Sequence, residues 1–291
     1  MTTQLFKSFT YIIVVLFFSS MAHAENVTFN FSEGRAVEAA ADKLEEVYSL
    51  PISYEDPLYG NDTELKGTLS FSYEVPAADA TEDTRKALAA SALASVVKNY
   101  NAIRGAEIFT VAEGNGGFYI IPVRDVNETG QIESLQAVLS TPISFPVEQL
   151  TAANAVRKIA SAVTAAANGL ELIPYGLGPV PKTPVEIGAQ NEPARTVLAR
   201  VLSQLSLTGE KAITPTTPTT RYEDPTVAYV DVAGAHLSWR ALCSASTYIL
   251  QFRLITPPGL LGGDNAHLPL PESLLEEERK DARAHGLTPV R

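Results

Sequence analysis

Residues 36–56 read AVEAAADKLEEVYSLPISYED, and residues 155–175 read AVRKIASAVTAAANGLELIPY. Both stretches open Ala-Val, run with apolar residues at helical spacing, pass a Leu and end in a short extended stretch closed by Tyr. A helix with one apolar stripe must bury that stripe against another element. A strand that returns directly from the helix is the nearest such element. Its use twice in one chain predicts an α+β fold of two tandem units, each with two helices packed on a small sheet.

The rest of the chain fits the same order, β-α-β-β-α-β-β, in each unit. In the first, VTFNF (27–31) alternates as a strand, and Ser32 is the expected N-cap of a helix with its stripe at Val37, Ala40, Ala41, Leu44, Val47 and Tyr48. Pro51 stops it and ISYE follows as a strand. Residues 67–75 alternate Leu69, Phe71, Tyr73 and Val75 on one side, so one face is buried. A second helix is expected over 84–100, then two strands around Gly114-Asn115-Gly116-Gly117, a tight-turn sequence. The second unit repeats this with a strand at 143–147, where Pro146 belongs at an edge. Thr151 caps a helix ended by Gly169, and Pro193 opens the next. A closing hairpin, HLSWRALC and TYILQFRLI, completes it.

The predicted organisation is a signal peptide over 1–24, an acidic first unit over 25–127, a connector over 128–141, a second unit over 142–256 and a tail over 257–291. Lys7, the apolar run YIIVVLFF and Ala22-His23-Ala24 carry the leader reading, with cleavage after Ala24. The apolar run is too short for a good membrane span, which takes about 20 residues, and no stable span is expected once the leader is removed. The single cysteine, Cys243, excludes an intrachain disulfide and reads as a buried thiol. Residues 207–236 interrupt the second unit with TPTTPTTRYEDPT, either a loosely docked loop or a recognition loop. The tail closes on ESLLEEERKDARAHG, a short solvated helix or a partner-binding one.

The net charge of −11 is uneven. Residues 25–127 hold 17 acidic and 8 basic residues, whereas 142–256 hold 8 and 9. An acidic half argues against nucleic acid, whose binding needs Lys and Arg against phosphate; it suits solubility or a partner with a basic surface.

Chemistry is hard to place. The four histidines are His23, His236, His267 and His285, with no i,i+4 pair and no Cys/His cluster, so no metal is expected. No Gly-x-Ser-x-Gly elbow occurs, and Gly114–Gly117 joins two strands rather than leading into a helix as a phosphate cradle would. No cofactor is expected. Asn26, Asn61 and Asn127 each begin an Asn-x-Thr sequon.

The stretch running LEEVYSLPISYEDP, LKGTLSF, ALAASALASVVKNYNAIRGAEIFTVAEGNGGFYIIP resembles the short N-terminal domain shared by bacterial secretins and TonB-dependent receptors. The likeness lies in Leu44 to Tyr54, Gly67-Thr68, Leu88 to Val97 and Phe109 to Ile121, and again in VEIGAQNEPARTVLARVLSQL with the closing hairpin. It implies protein–protein contact in the cell envelope without catalysis, periplasmic or extracellular. No barrel or secretin core is expected to follow, which leaves the partner a separate envelope protein. The expected contact residues are Tyr54, Glu55, Asp56 and Tyr59. Two other readings stand beside this one: a secreted hydrolase with His236, Glu223, Asp224 and Cys243 between the units, and a glycan or small-ligand binder with a pocket near Trp239.

Overall fold

Alternation and helical stripes fold locally much as the periodicity predicts, but they assemble around a single central sheet. The computed structural model describes residues 23–31, 34–58, 67–114, 117–126, 131–167, 169–177, 180, 183–205, 236–244 and 246–255. Residues 1–22 of the predicted leader, 207–235 of the predicted insert and all of the predicted tail 257–291 lie outside the described residues, as do Ser32, Tyr59, Asn61 and Asn127.

Strand β1 (His23–Asn30) pairs antiparallel with β3 (Thr68–Val75), Val27 facing Phe71 and Phe29 facing Leu69 across the ribbon. The expected cleavage bond after Ala24 therefore falls inside β1. Between these strands run α1 (Ala36–Tyr48) and β2 (Ile52–Glu55). α1 buries Val37, Ala40, Ala41, Leu44 and Tyr48, and also Glu45. Arg35 precedes it with φ 28, and Ser49, at φ 51, ends it before Pro51. Helix α2 (Glu82–Arg104) is longer than predicted; Thr81 caps it by accepting a hydrogen bond from the Thr84 amide at 3.2 Å. Its buried stripe is Ala89, Leu93, Val96, Val97 and Tyr100, as the spacing requires. Strands β4 (Phe109–Gly114) and β5 (Gly117–Pro122) form the hairpin. Gly117 is needed there for close approach, because a Cβ would sit 2.3 Å from the Pro51 carbonyl oxygen.

The stretch read as a connector is structured in part. Within it β7 (Ile132–Ser134) pairs back onto β6 (Arg124–Val126) at the end of the first predicted unit, and a 3-10 turn at Val138–Ser140 buries Val138 and Leu139. Then β8 (Pro142–Thr151) pairs antiparallel with β10 (Pro184–Pro193), both longer than the sequence suggested and both interrupted by register shifts. Helix α3 (Ala152–Ala166) is capped by Thr151 and followed by Gly169 at φ 87, then β9 (Glu171–Pro174). Pro193 immediately precedes α4 (Ala194–Ser203). β11 (His236–Ser244) and β12 (Thr247–Ile255) close the fold as a hairpin.

One sheet gathers strands from both halves in the order β4-β5-β2-β11-β12-β9. At its centre β2 lies parallel to β11, Tyr54 opposite Arg240 and Glu55 opposite Ala241. Successive side chains on a strand point to opposite faces, and the two cores follow that rule. Ile52, Tyr54, Phe118 and Ile120 pack with α1 and α2 on one face. Trp239, Ala241, Tyr248 and Leu250 pack with α3 and α4 on the other. Tyr119, although on β5, belongs to the second core, and Leu242, on β11, packs against the first. The middle strands are thus covered on both faces, and all four residues of β2 are buried. Among the described residues the fold is α+β, with four α-helices, one six-stranded sheet and three two-stranded ribbons.

Candidate functional site

The charged residues on the two central strands have no water to turn to and find partners inside, whereas Ser238 Oγ and Trp239 Nε1 on β11 are buried with no hydrogen-bond partner among the described residues. Three ionic clusters result, and they meet at the joint of β2 and β11.

Asp56, just past β2, is fully buried. Its carboxylate accepts from Arg35 Nε at 2.7 Å, the Cys243 amide at 2.7 Å and the Tyr54 hydroxyl at 2.8 Å. Its own amide donates to Ala241 O at 2.8 Å. Arg35 also donates to Cys243 O at 2.8 Å. Burial holds the Asp56 carboxyl above its usual range against the pull of Arg35. Those two bonds hold Arg35 in a left-handed backbone conformation that costs a side-chain-bearing residue about 1–2 kcal/mol.

Glu55 points to the opposite face. It accepts from Arg195 Nε on α4 at 2.7 Å and from the Leu139 amide at 3.2 Å, while Arg195 also donates to Ser140 Oγ at 3.2 Å. Arg240, 1 % exposed on β11, reaches α1: its Nη2 donates to Asp42 and Glu45 at 2.6 Å each, and its Nη1 to Ile52 O at 2.6 Å. Arg253 on β12 pairs with Asp42 as well.

The structure therefore brings Tyr54, Glu55 and Asp56 together as interior residues that tie the halves to each other, not as a surface. Tyr59 is outside the described residues. Of the hydrolase grouping, only His236 and Cys243 are among the described residues. His236 and Cys243 stand at opposite ends of β11, about 23 Å apart at roughly 3.3 Å per residue. Burial pushes the Cys243 thiol up to about 11, and it donates to Leu58 O. Glu223 and Asp224 lie outside the described residues. Trp239 offers no open platform, since its ring is buried and stacks on Tyr119 at 5.1 Å. Among the described residues no group of three or more His, Cys, Asp or Glu is placed to hold a metal ion, and no helix is long and apolar enough to cross a membrane.

Two open grooves lie among the described residues. One, of about 360 Å³, is lined by Phe29, Arg35, Glu38 and Asp42; the other, of about 700 Å³, lies along the β8·β10 ribbon beside Val147, Glu192 and Arg200. Neither collects a nucleophile with a base.

Burial, helped by the nearby Asp42 charge, pushes Glu38 up from 4.5 to about 7. A raised carboxyl pKa adds stability that is complete below 4.5 and lost as pH rises through 7. Glu38→Gln, which removes the titration, is expected to stabilise the protein by about 1–2 kcal/mol at pH 8, after allowance for solvent, and to change little at pH 4. Urea midpoints at the two pH values check this; equal effects at both would rule it out.

Arg195, Arg240, Asp42 and Glu45 were not singled out by the sequence as functional. The available signals were an Arg inside the apolar run LSWRALC and a Glu on the buried stripe of α1. No protein-family model matches this chain, and neither a curated protein nor a solved structure does.

Proposed function

We propose that this chain is an exported pair of like α+β units that binds another protein of the cell envelope and performs no catalysis itself. The observation that carries this is the location of its polar chemistry. The ionic side chains that converge do so at the joint and are bonded to one another, while the extended backbone at the sheet margins faces outward. Support for two like units comes from pairing. In each half the first strand pairs with the strand before the second helix (β1·β3 and β8·β10). In each, the strand returning from the first helix lies parallel to the second strand of the hairpin (β2 with β5, β9 with β12). The envelope-protein partner in this reading comes from the sequence resemblance to the secretin and TonB-receptor N-terminal domain.

The test is affinity capture with the chain from residue 25 onward, followed by reconstitution with the purified captured protein. One envelope protein retained at fixed stoichiometry is the expected result. Turnover of ester, peptide or glycoside substrates by the pure chain, lost in His236→Ala, would replace this reading with a hydrolase.

A further inference from the structure

Among the described residues the central sheet has two margins with no further strand, β4 and β9, and they are not equivalent. At β9, Glu171 N–H donates inward to Ser246 O at 3.0 Å and Tyr175 N–H to Leu250 O at 2.9 Å. Backbone groups of a parallel strand alternate sides, so Pro174 turns its nitrogen outward, where it has no hydrogen to offer. Proline at such a position closes an edge against further strands.

β4 carries no proline, lysine or arginine. Val123 N–H donates to Ile108 O at 2.8 Å, and the register then turns Thr110 and Ala112 toward β5 and Phe109, Val111 and Glu113 outward. At Phe109 the edge is closed by Asn101, whose Oδ1 accepts from the amide at 3.1 Å and whose Nδ2 donates to the carbonyl at 2.9 Å. Among the described residues, nothing does this for Val111 or Glu113.

The other hairpin shows what such an edge can take. Counted back from the closing pairs Gly114–Gly117 and Ser244–Thr247, Ala241 stands where Val111 stands and Cys243 where Glu113 does. There the edge accepts β2 in parallel. Ala241 O receives the Asp56 amide at 2.8 Å, and Cys243 O receives a guanidinium at 2.8 Å. That joint is two register pairs long, no longer than what β4 leaves open. Elsewhere, the Ser70 carbonyl on β3 is taken by Asn99 at 2.8 Å, β8 contains Pro146, and the β8·β10 register is broken.

We propose that the Val111–Glu113 edge of β4 receives an extended, basic segment of the partner protein, running parallel to β4 and lengthening the central sheet. This rests on the interaction reading above. Backbone hydrogen bonds give the attachment and side chains its selectivity. The basic character follows from Glu113 on the edge and Glu107 just before it, both exposed.

The probe is acetyl-Lys-Val-Lys-Val-Lys-Val-amide, with the Glu-for-Lys peptide as its opposite, added to the full chain. Amide hydrogen exchange read by NMR is expected to slow about tenfold or more at Val111 and Glu113 with the basic peptide and to stay unchanged with the acidic one. Val111→Pro is expected to abolish the effect. Glu113→Lys, an exposed change that leaves the fold alone, is expected to weaken the basic peptide about tenfold or more and admit the acidic one. No slowing at these two amides, or slowing on β1 instead, overturns the proposal. If an envelope protein binds the wild type and both variants equally, the interaction reading survives and this site does not.

Discussion

Arg240→Ala is expected to destabilise the protein by about 3–5 kcal/mol, because it strips the partner from a charge that cannot reach water. Glu45 is 1 % exposed and holds two bonds, one from Arg240 at 2.6 Å and one from the Ile52 amide at 2.9 Å. With Arg240 gone, the nearest cation is Arg253, whose Nε lies 3.6 Å away. The Ile52 and Trp239 carbonyls, at 2.6 and 3.0 Å from Arg240, lose their donor too. Loss of this size corresponds to a fall in melting temperature on the order of 10 °C. Arg240→Met with Glu45→Gln is expected to recover much of it. The methionine fills the space, and glutamine keeps an acceptor for Ile52 without a bare charge. Urea unfolding is the measurement, followed by circular dichroism and by Trp239, the only tryptophan, which sits in the joint. An Arg240→Ala protein within about 1 kcal/mol of the wild type would mean that the cluster is solvated and does not hold the sheet together.

Why this cluster was illegible in the sequence is a matter of range. Leu69, Phe71 and Tyr73 alternate because β3 has one wet face, and the pattern reads directly. The stripes of α2 and α3 and the Thr151 cap are equally local, and the structure has them. β2 is different. Ser53 and Glu55 alternate with Ile52 and Tyr54, which by local rules marks a solvent face. That face is covered by α4 and the Val138–Ser140 turn, and β2 is bordered by a strand nearly two hundred residues later. No window of sequence contains that neighbour. The same distance explains the misplacement of Tyr54, Glu55 and Asp56 on a surface. A YED triplet before a proline has the composition of a turn, and only the arrival of β11 makes it interior. The hairpin turn, by contrast, was legible in kind but not in cause, since Gly117 is required by the Pro51 carbonyl rather than by its own φ.

Asp56→Ala is expected to cost about as much as Arg240→Ala, about 3–5 kcal/mol, for a related reason. The substitution removes the carboxylate that accepts from the buried Cys243 amide at 2.7 Å and from the Tyr54 hydroxyl at 2.8 Å. Arg35 is less harmed. Its side chain is 36 % exposed and keeps the Cys243 carbonyl at 2.8 Å. Arg35→Ala should therefore behave differently, because it leaves the acid in place without its cation. Burial already holds the Asp56 carboxyl above its ordinary 3.8, and removal of the guanidinium raises it further. The folded state then takes up a proton that the unfolded state releases, so the stability it adds at low pH is lost as pH rises through the folded value. The Arg35→Ala deficit is thus expected to grow from pH 5 to pH 8, while the Asp56→Ala deficit varies less, and the double variant should resemble Asp56→Ala alone. Urea titrations of the three variants at both pH values decide the matter. A deficit for Arg35→Ala that is flat with pH would show that Arg35 packs against the joint without neutralising Asp56, and the parallel seam between β2 and β11 would then depend on its backbone and apolar contacts instead.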